Sequence, residues 1–228
     1  MSRRVVVAID GPGGAGKSTV ARRLAGRLGF LYIDTGAMYR AVALGARQQG
    51  ISWDDGAALG RLAAEAEIRL TASPPGVFLN GRDVTEAIRE PEISQGASKV
   101  SAVGAVRRAL VAKQREMARQ GSVVMEGRDI GTVVFPDADV KVYLDARPEV
   151  RAERRVRELE QKAPPPPPRE SVLAELEQRD RRDTTRADSP LAQAPDAVLL
   201  DSSNLSIEEV EEAILNLVRN RTGNGKEQ

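Results

Sequence analysis

The sequence contains no cysteine and no histidine. The absence of cysteine excludes disulfides, thiolate nucleophiles and cysteine-based zinc or iron–sulfur sites. The absence of histidine excludes imidazole acid–base catalysis and the most common transition-metal ligand. Any proton transfer must therefore use Asp, Glu, Lys, Tyr or bound water.

The chain also has few aromatic residues and almost no net charge. Aromatic residues make up 3% of its 228 residues, so the core has to consist mainly of Val, Leu, Ile and Ala. The 34 basic and 33 acidic residues leave a formal charge of +1, unlike the one-sided charge of a general nucleic-acid binder. Only six of the 34 basic residues are lysines. The others are arginines, whose planar fork suits phosphate and carboxylate groups.

Long apolar runs are missing too. The longest, such as Val5 to Ile9, fall far short of the ~20 residues that a membrane helix needs. The first ten residues lack the apolar segment and cleavage site of a secretory leader. We therefore expect a cytoplasmic protein without a membrane partner. Its length, with 41% hydrophobic and 29% charged residues, predicts one large domain, with or without an inserted subdomain.

Five short apolar runs, each ending in a turn or acidic residue, predict a mostly parallel sheet with helices on both faces. They are Val5 to Asp10, Leu31 to Asp34, Val123 to Glu126, Val140 to Asp145 and Val198 to Asp201. The first helical pattern has Val20, Leu24 and Leu28 on one stripe. Ser206 and Glu209 have the spacing of a capping box that opens the last helix.

Two segments interrupt this alternation. Ile68 to Thr71 and Val77 to Leu79 predict a hairpin joined through Ser73 to Gly76. Pro164 to Pro168 has to break the preceding helix and favours an extended surface linker or part of a mobile lid. The predicted parts are a core (1–39, 106–150 and 171–221), an insert (about 40–105), a lid (about 151–170) and a frayed tail (222–228).

The strongest motif lies between the first predicted strand and helix. It matches GxxxxGK[ST] and is followed by Thr19; its residues are Gly11, Pro12, Gly13, Gly14, Ala15, Gly16, Lys17 and Ser18. The glycines let backbone N–H groups face a polyphosphate, Lys17 can reach the β and γ phosphates, and Ser18 can ligate Mg²⁺. A simple glycine turn does not call for the lysine and serine. The motif predicts binding of a nucleoside triphosphate.

The guanine-reading NKxD element is absent, which disfavours a switch-type GTPase and favours a small-molecule kinase. Three segments concentrate polar residues near predicted strand ends: DTGAMYR (34–40), EGRD (126–129) and RDRRDTTR (179–186). Alone, each is typical of a helix cap, a turn or a solvated helix face. Together, at an edge where open α/β sheets bind ligands, they predict an acceptor site. Carboxylate and guanidinium groups complement the amino donor and ring acceptors of cytosine.

With these motifs the chain resembles the bacterial cytidylate kinase family. GPGGAGKST, YIDTGAMYR, VFLNGRDVT, GRDIGTVVFPDA and RDRRDTTR occur in that family's order and spacing between Val5 and Leu217. The resemblance implies an α/β fold: a three-layer P-loop kinase core with a five-stranded parallel sheet, an inserted nucleoside-monophosphate-binding subdomain and a helical lid. It also implies Mg²⁺-dependent phosphoryl transfer from ATP to CMP or dCMP, with small molecules as the only partners. We expect a monomer.

The resemblance also implies residue roles. Arg40 and Arg128 would hold the acceptor phosphate; Thr35, Arg107, Asp129 and Arg186 would read cytosine; Ser98, Arg179 and Asp183 would contact the sugar; Tyr39 belongs to the same substrate set. The catalytic cations would be Lys17, Arg40, Arg128 and the lid residues Arg151, Arg155 and Lys162. The proline run departs from the family pattern, so the resemblance does not fix the lid or Lys162.

Three questions stay open at the level of sequence. Both Glu126 and Asp145 end apolar runs, so either can be the acidic residue that accompanies the phosphate loop. Another P-loop metabolite kinase, such as a gluconate or shikimate kinase, shares the phosphate loop but not the acceptor segments. A nonenzymatic ATP-binding regulator is the second alternative, and it would bind ATP without releasing ADP.

Overall fold

The computed structural model describes residues 3–72, 75–162 and 164–223. The helices and strands along this part of the chain are β1 (Val6–Asp10), α1 (Lys17–Leu28), β2 (Leu31–Asp34), α2 (Thr35–Gln48), α3 (Gly56–Glu65), β3 (Ile68–Ala72), β4 (Pro75–Leu79), β5 (Arg82–Asp83), α4 (Pro91–Val100), α5 (Gly104–Met117), β6 (Val123–Gly127), β7 (Val140–Asp145), α6 (Pro148–Lys162), α7 (Arg169–Thr185), β8 (Val198–Asp201) and α8 (Ile207–Thr222). Short helical turns cover Ala87–Arg89, Ala118–Gln120 and Ile130–Val134.

The centre of the fold is the predicted five-stranded parallel sheet, and the order of its strands is β2-β6-β1-β7-β8. β1 and β6 are buried along their whole length, which is why they read as continuous apolar runs rather than as alternating patterns. Asp10 is paired with Gly127, and Asp34 with Glu126. The carboxyl ends of three strands therefore meet at one edge, where the phosphate loop begins.

Helices cover both faces of this sheet, which confirms the predicted three layers. On one face, α1 and α8 pack on the sheet through Leu24 and Ile214, among others. The predicted capping box of Ser206 and Glu209 is present at the start of α8. On the other face, α5 packs against Val6, Ala8 and Met125 of β1 and β6 through residues such as Val111. The packing fixes α1, and with it the phosphate loop, against the sheet.

The predicted insert contains a small antiparallel sheet, β3-β4-β5, with its own apolar cluster shared with α2, α3, α4 and α5. The predicted hairpin is confirmed, but β4 begins at Pro75 rather than Val77. Proline is tolerated there because the first residue of a strand need not donate to the ladder. The connecting Ser73 and Pro74 lie outside the described residues.

Helix α6 ends at Lys162, ahead of the proline run, as predicted, and α7 begins after it at Arg169. The two helices pack through Ala152, Val172 and Leu176. The helix α8 includes Thr222, the first residue of the predicted tail, and the hydroxyl of Thr222 donates to the carbonyl of Val218 at 2.8 Å. The rest of the predicted tail, 224–228, lies outside the described residues. In the part described, no helix has the length and apolar character to cross a membrane.

Candidate active site

The phosphate loop follows β1 and leads into the first turn of α1, which confirms the predicted strand–loop–helix context. Its backbone has positive φ at Gly11 (147°), Gly14 (77°) and Gly16 (94°), a region that residues with a side chain rarely adopt. A Cβ at Gly11 would lie 2.0 Å from the carbonyl oxygen of Leu144. The glycines are therefore required by the path of the chain, and this path exposes backbone N–H groups at the start of a helix.

Lys17, the first residue of α1, is buried beside this loop, with 5% of its surface exposed. Its Nζ donates to the carbonyl oxygen of Pro12 at 2.6 Å. Burial, together with the charge of nearby Arg128, lowers the pKa of Lys17 below its usual range. A bound anion next to Nζ would reverse this effect, so the lysine is poised to gain a proton when a polyphosphate binds.

A cavity of about 180 Å³ adjoins the loop at the carboxyl edge of the sheet. It brings together residues from the phosphate loop and from the three polar segments DTGAMYR, EGRD and RDRRDTTR. Those lining it are Gly13, Gly14, Lys17, Ser18, Thr35, Tyr39, Arg40, Arg107, Arg128, Asp129, Arg179, Asp183 and Arg186. The lining has six basic side chains and only four acidic ones, which are Asp34, Glu126, Asp129 and Asp183. A chain of nearly zero net charge thus contains a basic pocket.

The third polar segment contributes to this cavity through one face of α7. Arg179 and Asp183, together with Arg186 just after the helix, are spaced at i, i+4 and i+7 and line the cavity. Arg181 and Arg182 are exposed. Read alone, the segment is typical of a solvated helix face. That description holds for Arg181 and Arg182. The residues on the other side of the helix form a charged face that lines the cavity.

Asp129 and Arg107 form an ion pair across the cavity, between the turn after β6 and helix α5. Both are buried, at 5% and 3% exposed. Arg107 also donates to the carbonyl oxygen of Ser101 at 3.0 Å, and its guanidinium lies 5.4 Å from the centre of the Tyr39 ring. Because these contacts hold the guanidinium, the carboxylate of Asp129 is oriented before any ligand binds.

A second set of ion pairs lines the opposite wall. Arg128 donates through Nε to Asp183 at 2.9 Å, and Arg186 lies 3.6 Å from the other oxygen of the same carboxylate. Burial alone would raise the pKa of Asp183, but the neighbouring arginines, Arg128 first among them, hold this pKa below its usual value. Arg40 pairs with Asp34 at 3.0 Å, and Asp34 also caps the start of α2.

These carboxylates do not use all the donors of the arginines. In the described part of the chain, buried nitrogen atoms of Arg40, Arg107, Arg179 and Arg186 have no hydrogen-bond partner. Burial and the charge of Arg128 lower the pKa of Arg179 to about 10. Each unpaired buried donor costs about 1 to 3 kcal/mol. An anionic ligand would relieve this cost, so the cavity has the chemistry of a phosphate-binding pocket.

Thr35 and Glu126 occupy the floor between the cavity and the phosphate loop. The hydroxyl of Thr35 donates to the backbone carbonyl of Glu126 at 2.7 Å, so its lone pairs remain available to a ligand donor. The Glu126 carboxylate accepts from the hydroxyl of Tyr32 at 3.1 Å and lines the cavity with Ser18. Burial, and then the charge of Asp34, raises the pKa of Glu126. Asp145, the other acidic candidate, accepts from the N–H of Ala146 at 2.7 Å and is not among the residues found to line the cavity.

Other predicted residues lie beside the cavity. Arg151 is buried against the phosphate loop, where it donates to the carbonyl of Gly13 at 3.0 Å and pairs with Asp180. Arg155 pairs with Glu158 at 2.8 Å and borders an adjacent cleft that also contains Ser18 and Arg40. Arg151 is thus a packing partner of the loop, whereas Arg155 faces the cleft.

For the remaining predicted residues, the positions are as follows. Ser98 borders a neighbouring cavity that also contains Asp183 and Arg186. Thr19 is exposed on α1, and Pro12 and Ala15 are buried parts of the loop. The side chain of Lys162 lies outside what the structure describes.

Sequence reasoning missed two acidic residues near the site. Asp180 accepts from the N–H of Gly13 at 3.4 Å as well as pairing with Arg151. Asp180 lies inside the segment RDRRDTTR, so the sequence analysis could have included it among the site residues. Asp10 binds backbone N–H groups of Ile130 and Gly131, and these residues are far from it in the sequence. No local pattern indicates that contact.

Comparison with known proteins agrees with this geometry. The family model for cytidylate kinase matches residues 7–220. The chain is 62% identical over 226 residues to a cytidylate kinase of Solibacter usitatus (strain Ellin6076), covering 99% of this chain and 97% of that protein. It is 50% identical over 222 residues to a bifunctional pantoate ligase/cytidylate kinase of Prochlorococcus marinus (strain MIT 9303), with 96% of this chain and 46% of that longer protein covered.

A solved structure of an uncharacterized protein from Eubacterium ventriosum ATCC 27560 shares the fold, with a TM-score of 0.55 at 11% identity, over 96% of this chain and 100% of that one. The family match extends over both the phosphate loop and the acceptor segments, and the first relative is similar over nearly its entire length. The chain therefore belongs to the cytidylate kinase family and is a nucleoside monophosphate kinase.

Proposed function

We propose that the protein transfers the γ-phosphoryl group of ATP to CMP or dCMP, giving ADP and CDP or dCDP. One observation carries this proposal: a cavity whose buried arginine nitrogens lack partners adjoins a phosphate loop. The two anion-binding regions share Lys17 and Arg128 in one continuous lining. Such an arrangement suits two phosphate groups that have to approach each other.

On the donor side, the inward N–H groups of residues 11–16 and the start of α1 would hold the β and γ phosphates. Lys17 would exchange the carbonyl of Pro12 for a phosphate oxygen. Arg155, at the cleft beside Ser18, would add positive charge as the transferred group leaves ADP. Arg151 would keep the loop in shape through its bond to Gly13.

Mg²⁺ fits this site. Ser18 and Glu126 offer two oxygen ligands beside the loop. The described residues contain no group of three or more His, Cys, Asp or Glu side chains arranged to hold a metal ion, and Mg²⁺ at a nucleotide commonly uses only one or two protein ligands with water and phosphate oxygens. When bound, Mg²⁺ neutralises charge on the donor phosphates. We propose Ser18 as its direct ligand and Glu126 as the accompanying carboxylate.

On the acceptor side, Arg40 and Arg128 would bind the phosphate of CMP. Thr35, Arg107, Asp129 and Arg186 would surround cytosine, and Ser98, Arg179 and Asp183 would contact the sugar, with Tyr39 lining the same pocket. Asp129 suits cytosine because a carboxylate accepts from its amino group. The ion pair with Arg107 holds that carboxylate in position.

The chemistry needs no general base. A phosphate monoester has its second pKa near ~6, so at neutral pH the acceptor is already a dianionic nucleophile. The obstacle is repulsion: two like unit charges 4 Å apart cost about 4 kcal/mol at an effective dielectric constant near 20. The unpaired arginines of the cavity oppose this repulsion, and the absence of histidine is no handicap.

A panel of acceptors tests the proposal, with ADP release measured in the presence of ATP and Mg²⁺. We expect turnover with CMP and dCMP. Release of ADP with gluconate or shikimate, but not with CMP, would favour another metabolite kinase. Binding of ATP without ADP release for any acceptor would favour a regulator. That the protein is a monomer and acts in the cytoplasm stays a prediction from the sequence, as do the boundaries of insert and lid.

Arg179 gives a prediction in which stability and binding change in opposite directions. Replacing it with methionine removes a cation that lies near Arg128 and has an unpaired Nε. We expect the ligand-free protein to gain about 1 kcal/mol, which is about 2 to 4 °C in Tm for a chain of this size. KM for CMP should rise about 10-fold. Arg181→Met, on the exposed face of the same helix, should change neither quantity; a destabilised Arg179→Met protein would contradict the account.

A further prediction concerns the protonation of Lys17 when ATP binds. Its pKa is lowered in the free protein and should rise when a triphosphate binds. At pH 8, ATP binding without Mg²⁺ should therefore take up a fraction of a proton. Isothermal titration calorimetry in buffers of different ionisation enthalpy measures this uptake. Lys17→Arg, whose guanidinium does not titrate, should bind ATP without it. Equal uptake by both proteins would assign the proton to another group.

A further inference from the structure

Asp10 is the last residue of β1 and directly precedes the phosphate loop. It is buried, at 5% exposed, and lies outside the group of residues that the proposed reaction uses. Both oxygens of its carboxylate accept backbone hydrogen bonds, from Ile130 N–H at 2.8 Å and from Gly131 N–H at 2.7 Å. These N–H groups lie 120 and 121 positions further along the chain.

The two N–H groups belong to the first residues of the helical turn Ile130–Val134, which follows Asp129. Asp129 is the residue at the N-cap of this turn, and an aspartate there ordinarily accepts from the free N–H groups of its own helix. Here it makes no such bond. Its carboxylate pairs with Arg107 in the cavity instead. Asp10 supplies the cap that Asp129 does not.

We propose that Asp10 is a positioning residue for acceptor recognition: by capping the turn after β6, it leaves the carboxylate of Asp129 free to face Arg107 and the base of the acceptor. The inference rests on the proposed role of Asp129 in reading cytosine. It assigns to Asp10 no contact with substrate. Because Asp10 also begins the phosphate loop, one residue fixes the donor loop and the acceptor turn relative to each other.

The chemistry of this contact requires a carboxylate. Two neighbouring N–H donors need two acceptor atoms, whereas asparagine offers one oxygen and an NH₂ group that would face a donor. Space is also limited, since a Cβ at Gly131 would lie 3.4 Å from Asp10 Oδ2 and 3.1 Å from Lys141 Cδ. Burial raises the pKa of Asp10 to about 6 against the effect of the two hydrogen bonds. A buried carboxylate is expensive in a fold, which is consistent with a functional reason for keeping it.

The test compares Asp10→Asn with a matched control at the other end of the same strand. Asp139 accepts from the backbone N–H of Val6 at 2.8 Å and from Arg3 at 2.6 Å, so Asp139→Asn also leaves two donors with one acceptor oxygen, but at the start of β1 and not at its carboxyl end. For each variant we would measure thermal stability, KM for ATP, and kcat/KM for CMP and UMP. Asp10→Asn should lower the CMP to UMP ratio about 10-fold, with KM for ATP within about threefold. Asp139→Asn should leave the ratio unchanged.

A double-mutant cycle with Asp129→Ala separates this positioning role from a general loss of structure. If Asp10 acts through Asp129, Asp10→Asn should not change the acceptor ratio further once Asp129 is alanine. Two outcomes would overturn the inference: effects of the two substitutions that multiply, or an unchanged CMP to UMP ratio in Asp10→Asn. In either case, a lowered ratio in Asp129→Ala would still support the proposed function. An unchanged ratio in Asp129→Ala would instead refute the cytosine role itself, and the inference with it.

If Asp10→Asn does not fold, Asp10→Glu takes its place in the same cycle. It keeps the charge but moves both oxygens by one methylene, so the same selective loss of the CMP to UMP ratio is expected. A ratio equal to that of the unmodified protein would overturn the inference in this variant too.

Discussion

Replacing Lys17 with alanine is expected to lower kcat with CMP about 1,000-fold, because the ammonium group is the cation nearest the phosphate loop. The loss should fall mainly on kcat, since the charge on the transferred group grows in the transition state. Thermal stability should be unchanged or slightly higher. Burial already disfavours the charge of this lysine in the free protein.

Steady-state ADP release checks this expectation, with circular dichroism to confirm the fold. Lys113→Ala is a suitable control, because this half-buried lysine donates to the carbonyl of Ala64 on the insert and is not among the residues found to line the cavity. It should retain full activity. A Lys17→Ala protein that keeps most of its kcat would refute the catalytic role of the lysine.

Asp129→Ala is expected to lower the preference for CMP over UMP about 100-fold. The carboxylate matches the amino group of cytosine, whereas uracil presents a carbonyl at the same position. Removing the carboxylate also leaves Arg107 buried without its partner, so the variant should be less stable by about 3 kcal/mol. Kinetic constants for both acceptors, measured below the lowered Tm, give the ratio.

Asp129→Asn separates recognition from stability, because it preserves the shape of the side chain. Its NH₂ group can donate to uracil, so UMP should improve relative to CMP in this variant. Equal losses for both acceptors in Asp129→Ala and Asp129→Asn would indicate that Asp129 has a structural role only.

The parallel strands could be predicted closely because each is a short, mostly apolar run that ends in an acidic residue. The strands β1 and β6 are buried along their whole length. All five predicted runs match the observed strands to within one residue at each end, and three of them match at both ends: Leu31–Asp34, Val140–Asp145 and Val198–Asp201. The phosphate loop could be predicted because its glycines, lysine and serine are local in sequence. The predicted start of β4 was wrong, because a proline at the end of a strand is also typical of a turn.

Contacts between distant segments could not be predicted from local patterns. Asp10 looks like the end of an apolar strand, and nothing near it indicates that its carboxylate caps a turn at Ile130. Arg151 has the sequence of a lid cation, yet its guanidinium is consumed by Gly13 and Asp180. The choice between Glu126 and Asp145 also depended on the sheet order. The strand β6, between β1 and β2, carries Glu126 into the cavity, whereas β7 lies on the other side of β1 and its Asp145 is not among the residues found to line the cavity.

The most direct test of the account is a crystal structure of the complex with CMP, since the central claim is that arginines of the cavity bind the acceptor phosphate beside the phosphate loop. We expect phosphate oxygens about 2.7 to 3.0 Å from the guanidinium nitrogens of Arg40 and Arg128, with the cytosine amino group at Asp129. A phosphate bound elsewhere, with no contact to Arg40 or Arg128, would contradict the account.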